Sequence, residues 1–466
     1  MGPDRIPAEY WKAVVECPEG VIITTELCNK CWKNEVVPAE WHTVHVNMIH
    51  KKGSVAECDN YRPISLEGVA YKLLAGLLLA RLQAAGAEDR LTATQFGVWR
   101  GRSTVDAVFL VRRTIDQALA QRNGKVAMVT LDWAKAFDAI NAEGLLHALS
   151  RFGVPAKIVR LIDHIYRDRT FRVLDTGGFS TQRSQRSGTS QGCPLSPFLF
   201  VMLMTVIMKC TEAELSTSSQ EVIKAVNLSA LLCVDDTLIM GSLSERLQQF
   251  LDSVSKAGGR YGLSLHWSKF QLLQVGGECR LCFPDGNQIE AKEVMSYLGV
   301  SIYDDGGVKT ELNRKLGAAW GNFCNLDRVW KHTSLSTARK VAVYNAIVVS
   351  RLLYGLSSAW LNAAEIRRLN GFHCRCLRKI TRIRPSFVSR VSNAAVLMRA
   401  HEHPLSSYLR YQHLLLFGRV ARAPAGDALS RATFHHGLEP ATNRYVRRSA
   451  AQETSGQGCC GKRRAI

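Results

Sequence analysis

The chain has 466 residues, of which 46% are hydrophobic, so it can bury a large core, and its length predicts subdomains rather than one compact unit. A formal charge of +20 and a pI near 9.5 indicate a polyanionic partner, and residues 361–466 concentrate the excess, with 19 Lys and Arg against 5 Asp and Glu. The 14 cysteines follow no extracellular pattern and no apolar signal segment precedes them, which excludes a secreted disulfide scaffold and predicts an intracellular protein with reduced thiols.

The N-terminal third of the chain combines helical patterns with one basic loop. Residues 1–45 mix a helical pattern with Pro and Gly and carry no chemistry that the sequence identifies. Three basic side chains, Lys51, Lys52 and Arg62, flank a loop whose glycine, serine and asparagine predict a mobile turn. Residues 71–86 are rich in Leu and Ala, which predicts a buried helix that ends at a glycine.

A second helix and the first acidic site follow this region. Ser103 and Asp106 have the spacing of a capping box, and the apolar periodicity behind them predicts an amphipathic helix that stops at Gly124. Residues 126–131 are β-branched and aliphatic, which predicts a buried strand, and this strand ends at Asp132.

A second acidic site follows another apolar run. Residues 231–234 lead to Asp235 and Asp236, and because a further apolar run comes next, the two aspartates are predicted at the tip of a β-hairpin. Buried carboxylates need a neutralising partner, and hard cations such as Mg²⁺ take oxygen ligands. A two-metal site of this kind suits in-line attack on phosphorus. The alternative that stays open is structural: Asp132 caps a helix or turn, and the other two form a polar hairpin tip.

Between the acidic sites the sequence predicts a hairpin, a polar loop and a core helix. Residues 171–186 predict a hairpin around two glycines, and residues 187–196 form a polar loop in which Gln191 can hydrogen-bond a nucleotide. The longest apolar stretch, residues 194–208, is too short to span a bilayer and predicts a core helix. Beyond Gly306 the spacing of apolar residues predicts long helices.

The ordered set of these motifs resembles the reverse transcriptases. The core motifs that carry the resemblance are residues 132–140, residues 190–197 and residues 234–236. The segments that resemble the non-LTR, LINE-type branch of that family are residues 51–53, residues 60–66, residues 95–104, residues 296–300, residues 353–355 and Trp360. The resemblance covers nearly the whole chain, and the ordered set is far more specific than any one motif.

The resemblance implies roles for individual residues. The implied metal ligands are Asp132, Asp235 and Asp236, which would hold two Mg²⁺ ions, with Mn²⁺ as a substitute. The implied contacts of the incoming dNTP are Lys51, Lys52, Arg62, Phe137, Gln191 and Gly192; the sequence does not separate Lys51 from Lys52, and Phe137 is the bulky residue that excludes a 2′-hydroxyl. Lys269 matches a lysine proposed to act near the departing pyrophosphate, while Arg100 and Arg102 supply charge for a template backbone.

The sequence departs from the family pattern in two places. Val98 stands where an aromatic residue is usual and Trp99 where a basic one is usual, which affects the placement of the template. Cys233 stands where an aromatic residue would pack near the primer end, so we expect slow synthesis. Asp138 is interpreted as structural.

These features predict an α+β right-hand polymerase, with fingers and palm built from an antiparallel sheet flanked by helices, an α-helical thumb and a basic C-terminal tail. The predicted parts are an N-terminal extension, residues 1–45; fingers and palm, residues 46–305; a thumb, residues 306–400; and a basic, partly disordered region, residues 401–466. The predicted activity is RNA-directed DNA synthesis on an RNA template and a DNA primer, inside the cell and in the nucleus, without membrane association.

Two alternatives stay open: a group II intron-type reverse transcriptase, and a catalytically inactive nucleic-acid-binding relic. We also expect the chain to be a fragment that lacks an upstream endonuclease. The two Cys-x-x-Cys pairs, at Cys28 and Cys279, have no second pair at the spacing of a zinc site and are predicted to be ordinary cysteines.

Overall fold

A computed structural model describes residues 2–175, 177–215, 229–332, 334–424, 426–435 and 439–440, and it is an α+β protein, as predicted. The chain divides into two compact units. The first unit comprises Met1–Gly101, Leu131–Ile239 and Leu243–Phe270, and the second comprises Arg102–Thr130, Met240–Ser242 and Gln271–Ile466.

The helices of the described residues are α1 (Ala8–Glu16), α2 (Pro18–Asn34), α3 (Val69–Ala84), α4 (Thr104–Ala120), α5 (Ala136–Ala139), α6 (Ala142–Phe152), α7 (Ala156–Tyr166), α8 (Ser196–Glu214), α9 (Ser244–Gly259), α10 (Lys309–Asn325), α11 (Asp327–Lys331), α12 (Thr337–Tyr344), α13 (Ser350–Leu353), α14 (Ala363–Ile380), α15 (Ser386–Ser389), α16 (Asn393–Ala400), α17 (Leu405–Arg422) and α18 (Ala428–Thr433). A π-helical segment, Asn345–Val349, joins α12 to α13.

The strands are β1 (Thr43–His50), β2 (Tyr61–Leu66), β3 (Val126–Leu131), β4 (Thr170–Asp175), β5 (Gly178–Phe179), β6 (Arg183–Ser184), β7 (Ser229–Cys233), β8 (Asp236–Gly241), β9 (Gln271–Val275), β10 (Ala291–Lys292), β11 (Val294–Tyr297), β12 (Val300–Tyr303), β13 (Phe434–His435) and β14 (Glu439–Pro440).

The first unit contains one sheet built on β1 and a core built on α8. Strand β1 pairs antiparallel with β2 and parallel with β4, and β5 and β6 both pair antiparallel with β4. Helix α8 is apolar on all sides and packs against α6 and α9. A helix that is hydrophobic all round must be surrounded by protein, so α8 forms the centre of this unit.

The second unit joins β-strands to a helical core. Strand β9 pairs antiparallel with β3 and parallel with β10, and β11 and β12 form a separate antiparallel pair. Large aromatic residues, including Phe323, Trp330 and Tyr344, are fully buried among the helices from α10 to α17. The predicted long helices are therefore present, although the apolar pattern from Leu312 to Trp330 is divided between α10 and α11.

Local sequence signals agree with the structure at several helix ends. The predicted capping box of Ser103 and Asp106 is present at the start of α4, and the side chain of Asn141, a residue type common at this position, caps α6. Gly153 ends α6 in the left-handed region, with φ 95°. Helix α4 ends at Ala120, however, before the predicted stop at Gly124.

Among the residues that the structure describes, two helical stretches are long and apolar enough to cross a membrane by length and composition, Ser196–Glu214 and Thr337–Ser358. In the first, 78% of the most apolar window is buried inside the protein, and in the second 56%. The burial of α8 confirms that its apolar run is a core helix. The final part of the predicted basic tail, residues 452–466, lies outside the described residues.

Candidate active site

Asp132 stands at the end of β3, where the chain leaves the strand. The backbone around it is fixed by hydrogen bonds to one neighbouring segment: the N–H of His266 donates to the Asp132 carbonyl at 2.7 Å, and the N–H of Ala134 donates to the Ser264 carbonyl at 2.8 Å. Between them Trp133 is buried, and its indole N–H donates to the Thr237 hydroxyl at 3.4 Å. The carboxylate of Asp132 is thereby carried by a rigid piece of backbone.

The other two aspartates stand at the turn between β7 and β8. Val234 adopts φ 62° there, a left-handed conformation that a β-branched residue rarely accepts. The buried side chain of Gln95 holds the turn, because its carbonyl oxygen accepts from the N–H of Val234 at 3.1 Å and from the N–H of Gly97 at 2.8 Å. A Cβ on Gly97 would lie 2.5 Å from a Val234 methyl, so this close approach needs glycine.

The three aspartates interact electrostatically. Asp236 is exposed at the turn as a whole residue, but the surrounding protein partly removes its carboxyl group from water. This desolvation raises the pKa of Asp236 to about 6, and repulsion from Asp235 and Asp132 adds to the shift. Burial also raises the pKa of Asp235, with Asp132 adding to the effect and Arg62 opposing it. Mutual repulsion of this kind favours a cationic partner at neutral pH.

Asp132 forms an ion pair with Lys269, the last residue of the short 3₁₀ turn Trp267–Lys269. Its Nζ lies 2.5 Å from Oδ2 of Asp132, and the lysine side chain is 59% exposed, so the ion pair itself contributes little to stability. Within the part of the chain that the structure describes, no three His, Cys, Asp or Glu side chains are placed to bind one metal ion together. The oxygen donors and their mutual repulsion suit a divalent cation, which would have to replace the Lys269 ammonium on Asp132.

The basic loop between β1 and β2 belongs to the same unit. Lys51 is joined to the far side of the loop, since its N–H donates to the Asn60 carbonyl at 2.7 Å. Its charge lowers the pKa of Asp138, although burial raises that pKa more strongly, and the charge of Arg62 lowers the pKa of Asp235.

An exposed ion pair connects this loop to the segment behind Asp132. The Lys135 Nζ lies 2.8 Å from Oδ1 of Asp59, and Lys135 has a left-handed backbone with φ 48°. The pairing lowers the pKa of Asp59 and raises that of Lys135. Sequence reasoning missed this pair, because 76 positions separate its members and no local pattern links Asp59 to Lys135.

The predicted nucleotide-binding residues lie on two segments in contact. Phe137 is half-buried and stacks on Phe200 of α8, with ring centres 4.7 Å apart. The Gln191 carbonyl accepts from the N–H of Ser65 at 2.7 Å, which joins its loop to β2. Gly192 has φ 134°, and a Cβ there would lie 2.5 Å from the Ser65 carbonyl oxygen, so the loop can approach β2 only with glycine.

The predicted template residues differ in their surroundings. Arg100 is exposed. Arg102 donates to Asp427 at 2.8 Å, and both side chains are largely buried, so the charge of Arg102 is already balanced within the second unit. The contact of either arginine with a template stays a prediction.

The cysteine that departs from the family pattern is chemically inert. Cys233 is buried at the end of β7, and burial raises the pKa of its thiol to about 11, with Asp236 and Asp235 adding to the effect. The thiol is therefore protonated at neutral pH, which disfavours a role as a nucleophile. Cys28 and Cys31 are buried free cysteines whose pKa burial also raises.

Comparison with known proteins agrees with this arrangement. Residues 49–302 match the family model "Reverse transcriptase (RNA-dependent DNA polymerase)". A Pol polyprotein of the retrotransposable element R2 of Popillia japonica is 26% identical over 71% of this chain and 46% of its own length. The RNA-directed DNA polymerase of the mobile element jockey of Drosophila melanogaster is 23% identical over 74% of this chain and 38% of its own length. The chain thus spans less than half the length of these relatives. Because both relatives come from mobile elements of the non-LTR type, the similarity favours the non-LTR branch over the group II intron branch.

Solved structures show weaker similarity. An apo telomerase of Candida tropicalis has 13% sequence identity and a TM-score of 0.43, covering 88% of this chain and 67% of that chain. A form of the same telomerase without its C-terminal domain has 15% identity and a TM-score of 0.41, covering 62% of this chain and 59% of that chain. The assignment therefore rests on the family match, which covers more than half of the chain and includes the three aspartates, Phe137, Gln191 and Lys269. By that match the chain belongs to the reverse transcriptase family.

Proposed function

We propose that this chain is the RNA-directed DNA polymerase of a non-LTR retrotransposon. In the reaction the primer 3′-hydroxyl attacks the α-phosphorus of a dNTP, a new phosphorus–oxygen bond forms, and pyrophosphate leaves with its bond to the α-phosphorus broken. The observation that carries the proposal is the electrostatic interaction of Asp132, Asp235 and Asp236 at two rigid turns, inside the region that matches the family. The RNA template and DNA primer, and action in the nucleus, are part of the proposal.

The residues that would hold two Mg²⁺ ions are Asp132, Asp235 and Asp236, with Mn²⁺ as a substitute. Their oxygen donors suit hard cations, and burial together with mutual repulsion raises the pKa values of Asp235 and Asp236, an effect that such cations would oppose. When bound, divalent ions would stabilise negative charge on the reacting phosphate and favour ionisation of the attacking hydroxyl.

The remaining predicted residues would bind and orient the substrates. Lys51 and Arg62, with Lys52 as the other lysine of the loop, would balance charge on the triphosphate, and the Lys269 ammonium would act near the departing pyrophosphate. Phe137 would lie under the sugar, while Gln191 and Gly192 would contact the nucleotide. Arg100 and Arg102 would contact the template backbone, the second after exchanging its partner Asp427.

The test is primer extension on an RNA template by the wild-type chain and by Asp132→Ala and Asp235→Ala. Each substitution should lower extension by more than about a thousandfold, because several kcal/mol of charge stabilisation would be lost, while affinity for a template–primer duplex stays largely unchanged. Asp252→Ala removes an exposed aspartate on α9 and serves as the control. Retained extension by either active-site variant would exclude that aspartate as a ligand.

A binding-only relic is the competing proposal, and Cys233 supplies its test. An aromatic residue at this position would add surface near the primer end without changing the charges of the site, so Cys233→Tyr should raise a slow wild-type rate. If the wild-type chain and Cys233→Tyr both bind an RNA–DNA hybrid in a salt-sensitive way, and neither extends a primer with Mg²⁺ or Mn²⁺, the chain is a binding protein and not a polymerase.

A further inference from the structure

Another carboxylate, the half-buried side chain of Asp138, lies six positions beyond Asp132 and has a partner that the sequence did not reveal. The side-chain amide nitrogen of Gln191 donates to Oδ1 of Asp138 at 3.1 Å and to Oδ2 at 3.3 Å. Burial raises the pKa of Asp138, while the hydrogen bond from Gln191 and the charges of Lys51 and Lys135 lower it. These three groups favour the ionised carboxylate.

The two segments that carry this hydrogen bond are joined along their backbones. The N–H groups of Gly188 and Thr189 donate to the carbonyls of Ile140 and Phe137, each at 2.7 Å, and the Ser187 hydroxyl donates to the Asp138 carbonyl at 2.8 Å. Such a continuous contact leaves the two side chains little freedom to separate.

Close packing restricts the same contact further. Gly188 has φ 88°, and a Cβ on it would lie 2.8 Å from the Asp138 Cα, so the loop is as near to Asp138 as a backbone without a side chain allows. The position of Asp138 relative to Gln191 is therefore set by the fold and does not depend on the hydrogen bond alone.

The chemistry of the two groups decides which end of the amide is free. The structure places the NH₂ end of the Gln191 amide against both carboxyl oxygens of Asp138, where this nitrogen donates and the oxygens accept. The backbone carbonyl of Gln191 is held independently by the N–H of Ser65 at 2.7 Å. With both its backbone and its NH₂ group bound, Gln191 can offer a ligand its side-chain carbonyl oxygen, which is an acceptor.

We infer that Asp138 is a positioning residue that fixes the Gln191 amide with its carbonyl oxygen toward the incoming nucleotide, so that Gln191 accepts a hydrogen bond from it. The inference rests on the proposed function, because it assigns the loop of Gln191 to the nucleotide. Asp138 acts through Gln191 and holds no metal. Without Asp138 the amide could rotate about its last bond and present either end.

The test is a double-mutant cycle on steady-state primer extension with Asp138→Ala, Gln191→Ala and the double variant. Each single substitution should lower kcat/KM for the dNTP by about tenfold, the value of one hydrogen bond to a charged group, chiefly by raising KM. The double variant should be no worse than Gln191→Ala. Affinity for the template–primer should stay within about twofold of the wild type.

Two further variants separate positioning from a loss of folding. Asp138→Asn keeps an oxygen that accepts from the Gln191 amide, so it should recover most of the loss in kcat/KM for the dNTP. If the Asp138 carboxylate only supported the fold, this substitution would not restore the dNTP KM selectively. Asp252→Ala is the matched control, because Asp252 accepts from the Gln248 amide at 3.0 Å on the surface of α9. Its dNTP KM should equal that of the wild type.

An NMR measurement keeps this inference separate from the polymerase proposal. In protein labelled with ¹⁵N-glutamine, the side-chain NH₂ signal of Gln191 is assigned by its loss in Gln191→Ala. This signal should shift in Asp138→Ala and keep its wild-type position in Asp138→Asn. If the wild type does not extend primers, the proposed function fails and this signal alone decides the contact. The inference would be overturned if the loss of kcat/KM in the double variant equalled the product of the two single losses. It would also be overturned if the NH₂ signal of Gln191 did not shift in Asp138→Ala.

Discussion

At the scale of single residues, Phe137 shows how packing turns a core side chain into a candidate surface for a sugar. One face stacks on the fully buried Phe200, while the residue as a whole is half-buried. Its carbonyl oxygen accepts from the N–H of Thr189, in the loop that leads to Gln191. The stack therefore holds one face of the ring, and the hydrogen bond holds the backbone that carries it.

We expect Phe137→Val to raise incorporation of ribonucleotides relative to deoxyribonucleotides by about tenfold or more. Removing most of the ring would relax a steric exclusion of about 1–3 kcal/mol. The measurement is the ratio of kcat/KM for rNTP and dNTP in primer extension.

The control for this substitution is Phe179→Val, which shortens a partly exposed phenylalanine on β5 of the same unit. Its sugar discrimination should match that of the wild type. An active Phe137→Val enzyme with unchanged discrimination would return Phe137 to a structural role.

Residue by residue, the sequence located the aspartates but not the groups that hold them. Asp132, Asp235 and Asp236 follow apolar runs, which is a local pattern and can be read from the chain. The contact between Gln95 and Val234 joins residues 139 positions apart, and an isolated glutamine has no pattern that indicates such a partner. From the sequence, Asp138 is interpreted as structural because nothing places it at the metals, six positions beyond Asp132; its partner Gln191 becomes visible only in the folded chain.

At the scale of elements, the loop before α8 rests on a buried polar cluster. Arg169 and Glu67 form an ion pair at 2.6 Å, with side chains 1% and 3% exposed. The Tyr71 hydroxyl lies 3.2 Å from the Cys193 sulfur, and the Tyr166 hydroxyl lies 2.9 Å from the Ser196 hydroxyl. The cluster thus links β2, α3 and α7 to the loop that leads into α8.

Removing one member of the buried pair should destabilise the protein strongly. We expect Glu67→Leu and Arg169→Met each to cost about 3–5 kcal/mol, since each leaves one buried charge without its partner. The double variant Glu67→Leu/Arg169→Met should be more stable than either single variant, because no charge remains buried. The free energy of unfolding is measured by urea denaturation followed by tryptophan fluorescence.

An exposed ion pair of the same unit provides the comparison. Arg160 and Glu35 are bonded at 2.5 and 3.0 Å but lie near solvent, so Arg160→Met should cost less than about 1 kcal/mol. If the double variant loses the sum of the two single losses, the buried pair does not act as a unit.

Helix boundaries were the elements that the sequence predicted best. Capping residues act within three positions, so Ser103 with Asp106, Asn141 and Gly153 could be identified without knowing the fold. The π-helical segment Asn345–Val349 could not be identified in this way, because the apolar spacing on either side continues without interruption.

At the scale of the whole molecule, the two units differ in how pH acts on them. In the first unit, the pKa of Asp236 is raised from 3.8 to about 6, so between these pH values the folded state keeps a proton that the unfolded chain has lost. Without metal, the contribution of Asp236 to the free energy of unfolding therefore falls as pH rises. In the second unit, His373 is fully buried, its Nδ1 lies 3.0 Å from the Tyr344 hydroxyl, and burial lowers its pKa to about 4. The two groups therefore act with opposite signs between pH 4 and 6.

The contribution of His373 can be isolated by comparing the wild type with His373→Gln at each pH. The pKa of His373 is about 4 in the folded state and 6.5 in the unfolded chain, so as pH falls the unfolded chain takes up the His373 proton first. The stabilisation from neutral His373 is therefore fully present above pH 6.5 and is lost as pH falls to about 4. The loss should approach about 3 kcal/mol, and His373→Gln should not show it. The contribution of Asp236 is present in both proteins and cancels in the difference. A difference in the free energy of unfolding that stays constant from pH 7.5 to pH 4 would show that His373 is not buried in its neutral form.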